Sequence, residues 1–374
     1  MTTLRNYLLN NNIVSLKENY YIKSTRHKKY PNLILFKYNQ VKSPFQEKIV
    51  QESRGIILDE ANNYNIVSYP YDKFFNYNEP MGIDITKQLD WSNIKIYEKL
   101  DGSLMTLYYY NNEWSVATSG TPDASGSTNT GDNKNTFADL FWSTWNNLNY
   151  SLPNDTTKCY IFELVSPENR IIVAYQKYDI ILHGVRCLIT LNELDPEYYA
   201  NINNWQLVKS YNMASLEEVL NASNKLNPIE SEGYILCDNK FNRCKIKSTK
   251  YIQIAYKLNG GSDNVIIDII QKNEQDEVLN SFPELSEKYI KYKLIYEEQK
   301  KLINDTYQKN KYLLEEINKN DQDIRNIKKI LVQNIKHLWY CKYFYDKIKN
   351  YDLTIDDWLS NYDSKKLLSI FDKL

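Results

Sequence analysis

The chain has 374 residues, of which 42% are hydrophobic and 25% are charged, and its formal net charge is -1. This composition excludes a disordered chain and is typical of a globular protein with a sizeable core. The near-zero net charge excludes bulk basicity as a means of binding nucleic acid, so any such binding depends on local basic patches.

Up to about Thr249, short apolar runs separated by turn residues predict β-strands. The predicted strands are 33–36, 55–58, 94–97, 104–110, 114–118, 159–164, 170–173, 178–185, 233–237 and 244–247. Asn111-Asn112 between two of them predicts a hairpin turn. Residues 119–135 are rich in Gly, Ser, Thr, Asn and Asp, so we expect a mobile surface loop there, followed by a helix over 137–148.

After Gly260-Gly261 the apolar residues recur at helical spacing, from Leu285 to Ile317 and again from Ile324 to Ile335. Thr354 and Asp357 form a capping-box pattern, which predicts the start of a last helix running towards Leu374. We therefore expect an α+β domain over residues 1–257 and a small all-helical domain over residues 258–374.

The five cysteines are scattered without CxxC spacing, their number is odd, and no apolar run has the length of a leader or a membrane span. These features favour a protein of the cytoplasm or another reducing intracellular compartment, without membrane association. The three histidines are too far apart in sequence to favour a His/Cys zinc site.

The sharpest local pattern is Lys99-Leu100-Asp101-Gly102, where a predicted strand leads into a lysine and a turn-prone Asp-Gly pair. A lysine at this position can reach a bound nucleotide closely. To attack phosphorus it must be neutral, so its pKa must fall below the usual value of about 10.4, through neighbouring cations or desolvation. Taken alone, the pattern is equally compatible with a solvated lysine beside a hairpin.

Four further segments place charged residues at the ends or in the middle of predicted strands. Arg54-Gly55 opens one strand, Glu163 lies inside an apolar strand, and Glu232-Gly233 opens another. Lys245 and Lys247 alternate along a strand, so both ammonium groups face one side, where an anion such as a triphosphate would offset their repulsion. A buried Glu163 needs a partner, whereas the others are also compatible with solvated charges at strand ends.

In this order and at these gaps, the segments resemble the motifs of covalent nucleotidyltransferases, the class of ATP-dependent ligases and capping enzymes. A finer resemblance is to the type 1 RNA ligases of T-even phages. It is carried by Arg54-Gly55, the Lys73-Phe74-Phe75-Asn76 segment, Pro167-x-Asn169-Arg170-Ile171 and Lys245-Ile246-Lys247-Ser248 followed by Tyr251. The resemblance covers 35–251, implies a fold of antiparallel sheets around an ATP pocket, and fits a viral or phage origin.

The resemblance implies that Lys99 is the nucleophile that becomes lysyl-AMP and that Lys245 and Lys247 are catalytic cations at the phosphates. It further implies ATP contacts from a wider set: Arg54, Lys73, Phe75, Glu98, Lys99, Gly102, Glu163, Lys245, Lys247 and Tyr251. Glu163 would hold the ribose hydroxyl. Glu232 and Glu163 would place a divalent metal, Mg²⁺ or Mn²⁺.

The resemblance also implies a monomeric enzyme that joins 5′-phosphate and 3′-hydroxyl RNA ends, with tRNA repair as a suitable role. Basic residues interleaved with aromatics in the helical tail suit RNA binding, although an amphipathic helix with solvated lysines explains them too. The candidate RNA-binding residues are Arg325, Lys328, Lys329 and Lys336.

Two departures from the phage enzymes are visible. Lysines that those enzymes carry after the KxDG hairpin are replaced here by Ala117 and Ser119, so we expect weaker or rebuilt phosphate contacts. His183 lies where many relatives place a base-stacking aromatic, and a core or hydrogen-bonded histidine is the favoured interpretation. Two other functions remain open, a DNA ligase of the same class and a non-catalytic RNA-binding module.

Overall fold

The computed structural model describes residues 1–128, 135–258, 263–273, 275, 279, 285–319 and 324–374. Within these residues the chain divides into two compact units, Met1–Ala255 and Tyr256–Leu374. The division lies in the helix that contains Lys257, where the sequence predicts the domain boundary. No helix in the described part is long and apolar enough to cross a membrane.

Three sheets build the first unit, with strand orders β1-β2-β3-β4, β11-β10-β9-β7-β8 and β12-β6-β13-β14-β5. The strands are β1 Ile22–Arg26, β2 Leu33–Tyr38, β3 Arg54–Asp59, β4 Asn65–Ser68, β5 Phe75–Asn76, β6 Lys95–Lys99, β7 Ser103–Tyr110, β8 Glu113–Thr118, β9 Lys158–Val165, β10 Asp179–Cys187, β11 Glu193–Leu194, β12 Ser210–Tyr211, β13 Gly233–Cys237 and β14 Arg243–Lys247. Among the described strands, neighbours pair antiparallel except β14 and β5, which are parallel. The predicted α+β class is confirmed.

The helices of the first unit cover the sheets. They are α1 Thr3–Asn10, α2 Ile13–Tyr20, α3 Lys48–Glu52, α4 Pro80–Gln88, α5 Phe137–Asn147, α6 Pro196–Asn203, α7 Leu216–Lys225 and α8 Thr249–Leu258, with 3₁₀ turns at Glu60–Asn62 and Trp91–Asn93. Thr136 and Asp139 form a reciprocal capping box that starts α5. The α5 residues Phe141 and Trp145 then pack against Phe162 of β9 in the largest aromatic cluster of this unit.

The sequence locates most of these strands to within two residues, but the strand predicted over 170–173 is wrong. The backbone N–H groups of Ile172 and Val173 both donate to the buried carboxylate of Asp101, at 2.9 and 2.8 Å. Because those donors are already used, the segment forms no ladder. The Asn111-Asn112 turn joins β7 to β8 with φ values of 48° and 63°, as a type I′ hairpin requires.

The segment 119–135, predicted to be a mobile loop, is only partly described, since 129–134 lie outside the described residues. In its described part, Ala124 is fully buried in the α5 cluster. The Tyr108 hydroxyl donates to the Pro122 carbonyl at 2.7 Å. These residues are therefore packed against the fold, and the expectation of a surface loop is wrong for this part.

The second unit is helical in its described residues: α9 Asn264–Lys272, α10 Ser286–Lys319, α11 Ile324–Ile335, α12 Cys341–Lys349, α13 Ile355–Ser360 and α14 Ser364–Phe371. The single last helix predicted from Thr354 is wrong. Thr354 caps only α13, and the Asp363 side chain caps α14 by accepting from the Lys366 N–H at 2.8 Å. A side chain that bonds the backbone in this way favours a new helix start over continuation.

Candidate active site

The register of the third sheet brings the predicted cations together. Gly233 of β13 lies opposite Lys99 of β6 on one side and opposite Lys247 of β14 on the other. Directly opposed residues present their side chains on the same face. The buried carboxylate of Glu232, one residue earlier, accepts a hydrogen bond from Lys99 Nζ and lies 3.6 Å from Lys247 Nζ. Glu232 therefore holds Lys99 in place and offsets two of the charges.

Gly233 is required for this arrangement. Its φ is +154°, and a Cβ atom there would lie 2.1 Å from the Ile246 carbonyl oxygen. Any other residue would push β14 away from β13 and separate Lys247 from Glu232.

Beside these residues lies a pocket of about 250 Å³. Six of the predicted nucleotide-binding residues line it: Arg54, Glu98, Lys99, Gly102, Glu163 and Lys245. Leu104, Val208 and Ile235 supply apolar wall. Burial raises the pKa of Glu98, and the nearby Lys209 opposes that shift only in part. A pocket lined by both apolar and charged side chains suits an amphipathic ligand such as a nucleotide.

Several cations line the pocket, among them Arg54, Lys99 and Lys245. Burial, followed by the nearby cations Arg54, Lys73, Lys99 and Lys247, holds the pKa of Lys245 well below its usual range. Arg54 Nη1 is buried without a hydrogen-bond partner among the described residues. Clustered, incompletely paired cations are costly in the free protein, so the site is built to receive an anion.

A polar chain through Glu163 also lines the pocket. Its Oε1 accepts from the Gly102 N–H at 3.1 Å, and its Oε2 lies 3.4 Å from His183 Nε2 without hydrogen-bond geometry. The Tyr71 hydroxyl bonds His183 Nδ1 at 2.9 Å, with the two rings stacked at 5.6 Å. His183 is thus the hydrogen-bonded histidine favoured from the sequence, and it also lines the pocket.

Asp101 supports the turn that carries Lys99. In addition to the N–H groups of Ile172 and Val173, its carboxylate accepts from the Tyr251 hydroxyl at 2.7 Å. Its own N–H donates to the Tyr175 hydroxyl at 3.0 Å. Because Asp101 is buried, these bonds fix the Lys99 turn to the segment that follows β9.

Four of the predicted nucleotide-binding residues lie outside the pocket wall. Lys247 lies beside Glu232, with its Nζ 3.6 Å from the carboxylate. Tyr251 is buried behind Asp101. Phe75 is buried on β5, and the Lys73 ammonium lies over its ring at 4.8 Å and over the Phe45 ring at 4.4 Å. These side chains therefore do not line the pocket, and the nucleotide contacts predicted for them are not direct in this geometry.

The pocket also contains residues that the sequence analysis missed, namely Phe74, Tyr71 and Arg243. The Phe74 ring lies between Arg54, at 5.2 Å, and Lys245 Nζ, at 4.7 Å. Arg243 stacks on Tyr71 and pairs with Glu193 at 2.7 Å. The alternation Arg243, Lys245, Lys247 along one strand was the available signal for Arg243.

The proposed metal ligands Glu163 and Glu232 both lie at this site. Within the described ranges, no three acidic, histidine or cysteine side chains converge as a ready-made metal site. In the second unit, the four candidate RNA-binding residues are exposed on α11 or directly after it: Arg325, Lys328, Lys329 and Lys336.

The family model for RNA ligase, of the T4 type 1 group, matches residues 52–251, just over half of the chain. The chain belongs to the RNA ligase family. This confirms the resemblance inferred from the ordered motifs, and the matched range contains every RNA ligase motif described above.

This RNA ligase family member is 29% identical over 297 residues to a protein of Autographa californica nuclear polyhedrosis virus that bears the name bifunctional polynucleotide kinase/RNA ligase. It is 33% identical over 195 residues to an RNA ligase of Rhodothermus phage RM378. The alignments cover 74% and 44% of this chain but only 41% and 42% of those relatives. An archaeal ATP-dependent RNA ligase structure is similar with a TM-score of 0.47 and 13% identity, over 75% of this chain and 77% of the other.

Proposed function

We propose that the protein is an ATP-dependent RNA ligase that joins 5′-phosphate and 3′-hydroxyl RNA ends through lysyl-AMP at Lys99. The observation that carries the proposal is the placement of Lys99 Nζ. It lies at the wall of a nucleotide-sized pocket, is held by Glu232, and is adjacent to a group of cations whose charges are only partly offset. Family membership supports the same chemistry.

In the first step, Lys99 Nζ bonds to the α-phosphorus of ATP and the bond from that phosphorus to the bridging oxygen breaks, releasing pyrophosphate. Lys99 must first lose a proton, and Glu232 already accepts its hydrogen bond. Lys245 and Arg54 would offset the charge that develops on the departing phosphates. Glu163, next to Gly102, suits a ribose hydroxyl as hydrogen-bond acceptor.

A divalent ion fits this donor set, because Mg²⁺ commonly binds through one or two carboxylates together with substrate phosphates and water. Glu232 and Glu163 would hold it. When bound, the ion would supply further charge neutralisation at the phosphates.

AMP would then pass to the 5′-phosphate of RNA, and a 3′-hydroxyl would displace AMP and seal the strand. We assign residues 258–374 to RNA selection, with tRNA among the candidate substrates and a monomer as the working unit. The exposed cations of α11 suit phosphate contacts in that role. The cysteines, free in the described residues, suit a reducing compartment such as the cytoplasm.

The test is incubation with α-labelled ATP and a divalent metal, with denatured protein scored for covalent label. We expect label on the wild type and none on Lys99→Ala. Lys95→Ala is the matched control, because Lys95 lies on the same strand but pairs with Asp195 at the surface, and it should label normally.

Label on Lys99→Ala, or none on the wild type, would exclude the proposed mechanism. Persistent RNA binding without label would leave an RNA-binding module as the better interpretation. Comparing single-stranded RNA with nicked DNA as acceptor then separates an RNA ligase from a DNA ligase.

A further inference from the structure

Lys37 is a half-buried lysine near the end of β2 that neither the family motifs nor the sequence analysis assigns. In the sheet it lies opposite Arg54 of β3 on one side and opposite Lys23 of β1 on the other. Its Nζ lies 3.5 Å from the Ser119 hydroxyl. Lys37 therefore shares a sheet face with Arg54, a residue of the pocket wall.

The surroundings of Lys37 contain cations but no counter-ion. Among the described residues, no carboxylate pairs with its ammonium, and the hydroxyl of Ser119 is its one hydrogen-bond partner. Burial lowers the pKa of Lys37, and the nearby charges of Arg54 and Lys23 act in the same direction. A desolvated cation next to two others is unfavourable unless an anion completes the group.

Small residues leave space at the Lys37 ammonium. Ser119 and Gly120 follow β8, and a Cβ atom added to Gly120 would lie 3.7 Å from Lys37 Nζ. Gly55 brings the start of β3 against this turn, since a Cβ there would lie 3.2 Å from Ser119 Cα. At Ser119, one of the two positions where a lysine is missing, an ammonium group is thus supplied by a lysine from a different strand.

The cations lie in an order that begins at the nucleophile. Lys99 and Lys245 both line the pocket, Lys245 and Arg54 both lie over the Phe74 ring, and Arg54 lies directly opposite Lys37 in the first sheet. If the α-phosphate lies at Lys99, the outer phosphates extend along this row, and Lys37 lies at its far end. Arg54 Nη1, buried and unpartnered among the described residues, is a further donor available in this row.

We propose that Lys37 binds the terminal phosphate of ATP, and the same phosphate of the released pyrophosphate, in place of a cation from the strand that follows the KxDG hairpin. The proposal rests on the proposed function for the identity of the nucleotide. Binding of pyrophosphate by Lys37 does not depend on the proposed function, because it can be measured without catalysis.

The test compares Lys37→Met with Lys23→Met. Methionine keeps the length and apolar character of the lysine stem while removing the charge. Lys23 is the matched control, because it is directly opposite Lys37 in the sheet but exposed. The probes are inorganic pyrophosphate and AMP, titrated calorimetrically into the unadenylated protein.

We expect Lys37→Met to weaken pyrophosphate binding by about 10- to 100-fold, as expected for loss of a charged hydrogen bond, and to leave AMP binding unchanged. Lys23→Met should change neither, and Lys37→Arg should restore pyrophosphate binding. Sealing of pre-adenylated RNA, which needs no outer phosphate, should survive in Lys37→Met.

Equal pyrophosphate affinity in wild type and Lys37→Met would overturn the proposal, as would an equal loss of AMP affinity or a wild type that does not bind pyrophosphate. A wild type that binds pyrophosphate through Lys37 but forms no covalent label would sustain this inference and remove the ligase function.

Discussion

Replacement of Asp101 tests whether this carboxylate acts through its hydrogen bonds or through its charge. In Asp101→Ala, three buried donors lose their acceptor, namely the N–H groups of Ile172 and Val173 and the Tyr251 hydroxyl. An unsatisfied buried donor costs about 1–3 kcal/mol, so three cost roughly 3–9 kcal/mol. A whole domain is stable by only about 5–15 kcal/mol, so Asp101→Ala should be severely destabilised.

Asp101→Asn should behave differently, because both N–H groups donate to the same oxygen, Oδ2. An asparagine can keep its carbonyl oxygen there and turn its amide towards Tyr251, whose hydroxyl can rotate to accept. Only the charge is lost, which costs about 1 kcal/mol.

The assay is the free energy of unfolding from urea titration, with amide exchange at Ile172 and Val173 as a local readout. The reasoning is refuted if Asp101→Asn is as unstable as Asp101→Ala, because charge would then be the essential property. Tyr251→Phe, which removes one donor and its bond together, should be intermediate.

Three further predictions concern the pocket, the central strand and the helical unit. The pKa of Lys245 in the folded protein is below its usual 10.5, and a bound anion raises it, so pyrophosphate binding should take up protons, measured as a buffer-dependent binding enthalpy. For the same reason, the free energy of unfolding of the free protein should fall as the pH falls below 10.5 towards the folded-state pKa. Gly233→Ala should destabilise the first unit and abolish labelling of Lys99, whereas Gly126→Ala, whose Cβ would meet nothing closer than 3.7 Å, should do neither; thermal unfolding and the labelling assay check both. Neutralising the four exposed cations on α11 and directly after it should weaken RNA binding, while ATP labelling stays normal. In a plot of log affinity against log salt, the slope should flatten by roughly 0.7 per lost phosphate contact. The cations are Arg325, Lys328, Lys329 and Lys336.

The sequence predicts those parts of the fold in which local pattern and tertiary environment agree. The apolar runs of β9 and β13 are strands whose residues are mostly buried in the structure, and an apolar run bounded by turn residues predicts a buried strand directly. The 170–173 segment has the same local pattern, but a carboxylate 71 residues away binds its amides. No local signal carries that information.

The same limit of local sequence patterns applies to the prediction of site residues. Lys99, Glu163 and Lys245 follow from motifs, and the structure places all three at one pocket. Phe74 was missed in favour of Phe75, because which of two adjacent aromatics faces the pocket depends on how a two-residue strand pairs with β14. Lys37 was missed because its position at the site depends on the β2–β3 register.

The central position of β13 has a consequence for how this site can vary. Lys99 and Lys247 belong to strands that are not neighbours in the sheet, and each lies directly opposite the same residue, Gly233, in the strand between them. The backbones of these two lysines are therefore separated by two inter-strand spacings, about 9.6 Å, whatever side chains surround them. Loops between these strands can lengthen or shorten freely, but a one-residue slip would turn one lysine to the opposite face. The geometry of the proposed site is thus set by the alignment of three backbones, which tolerates changes in the surrounding side chains but not in strand register.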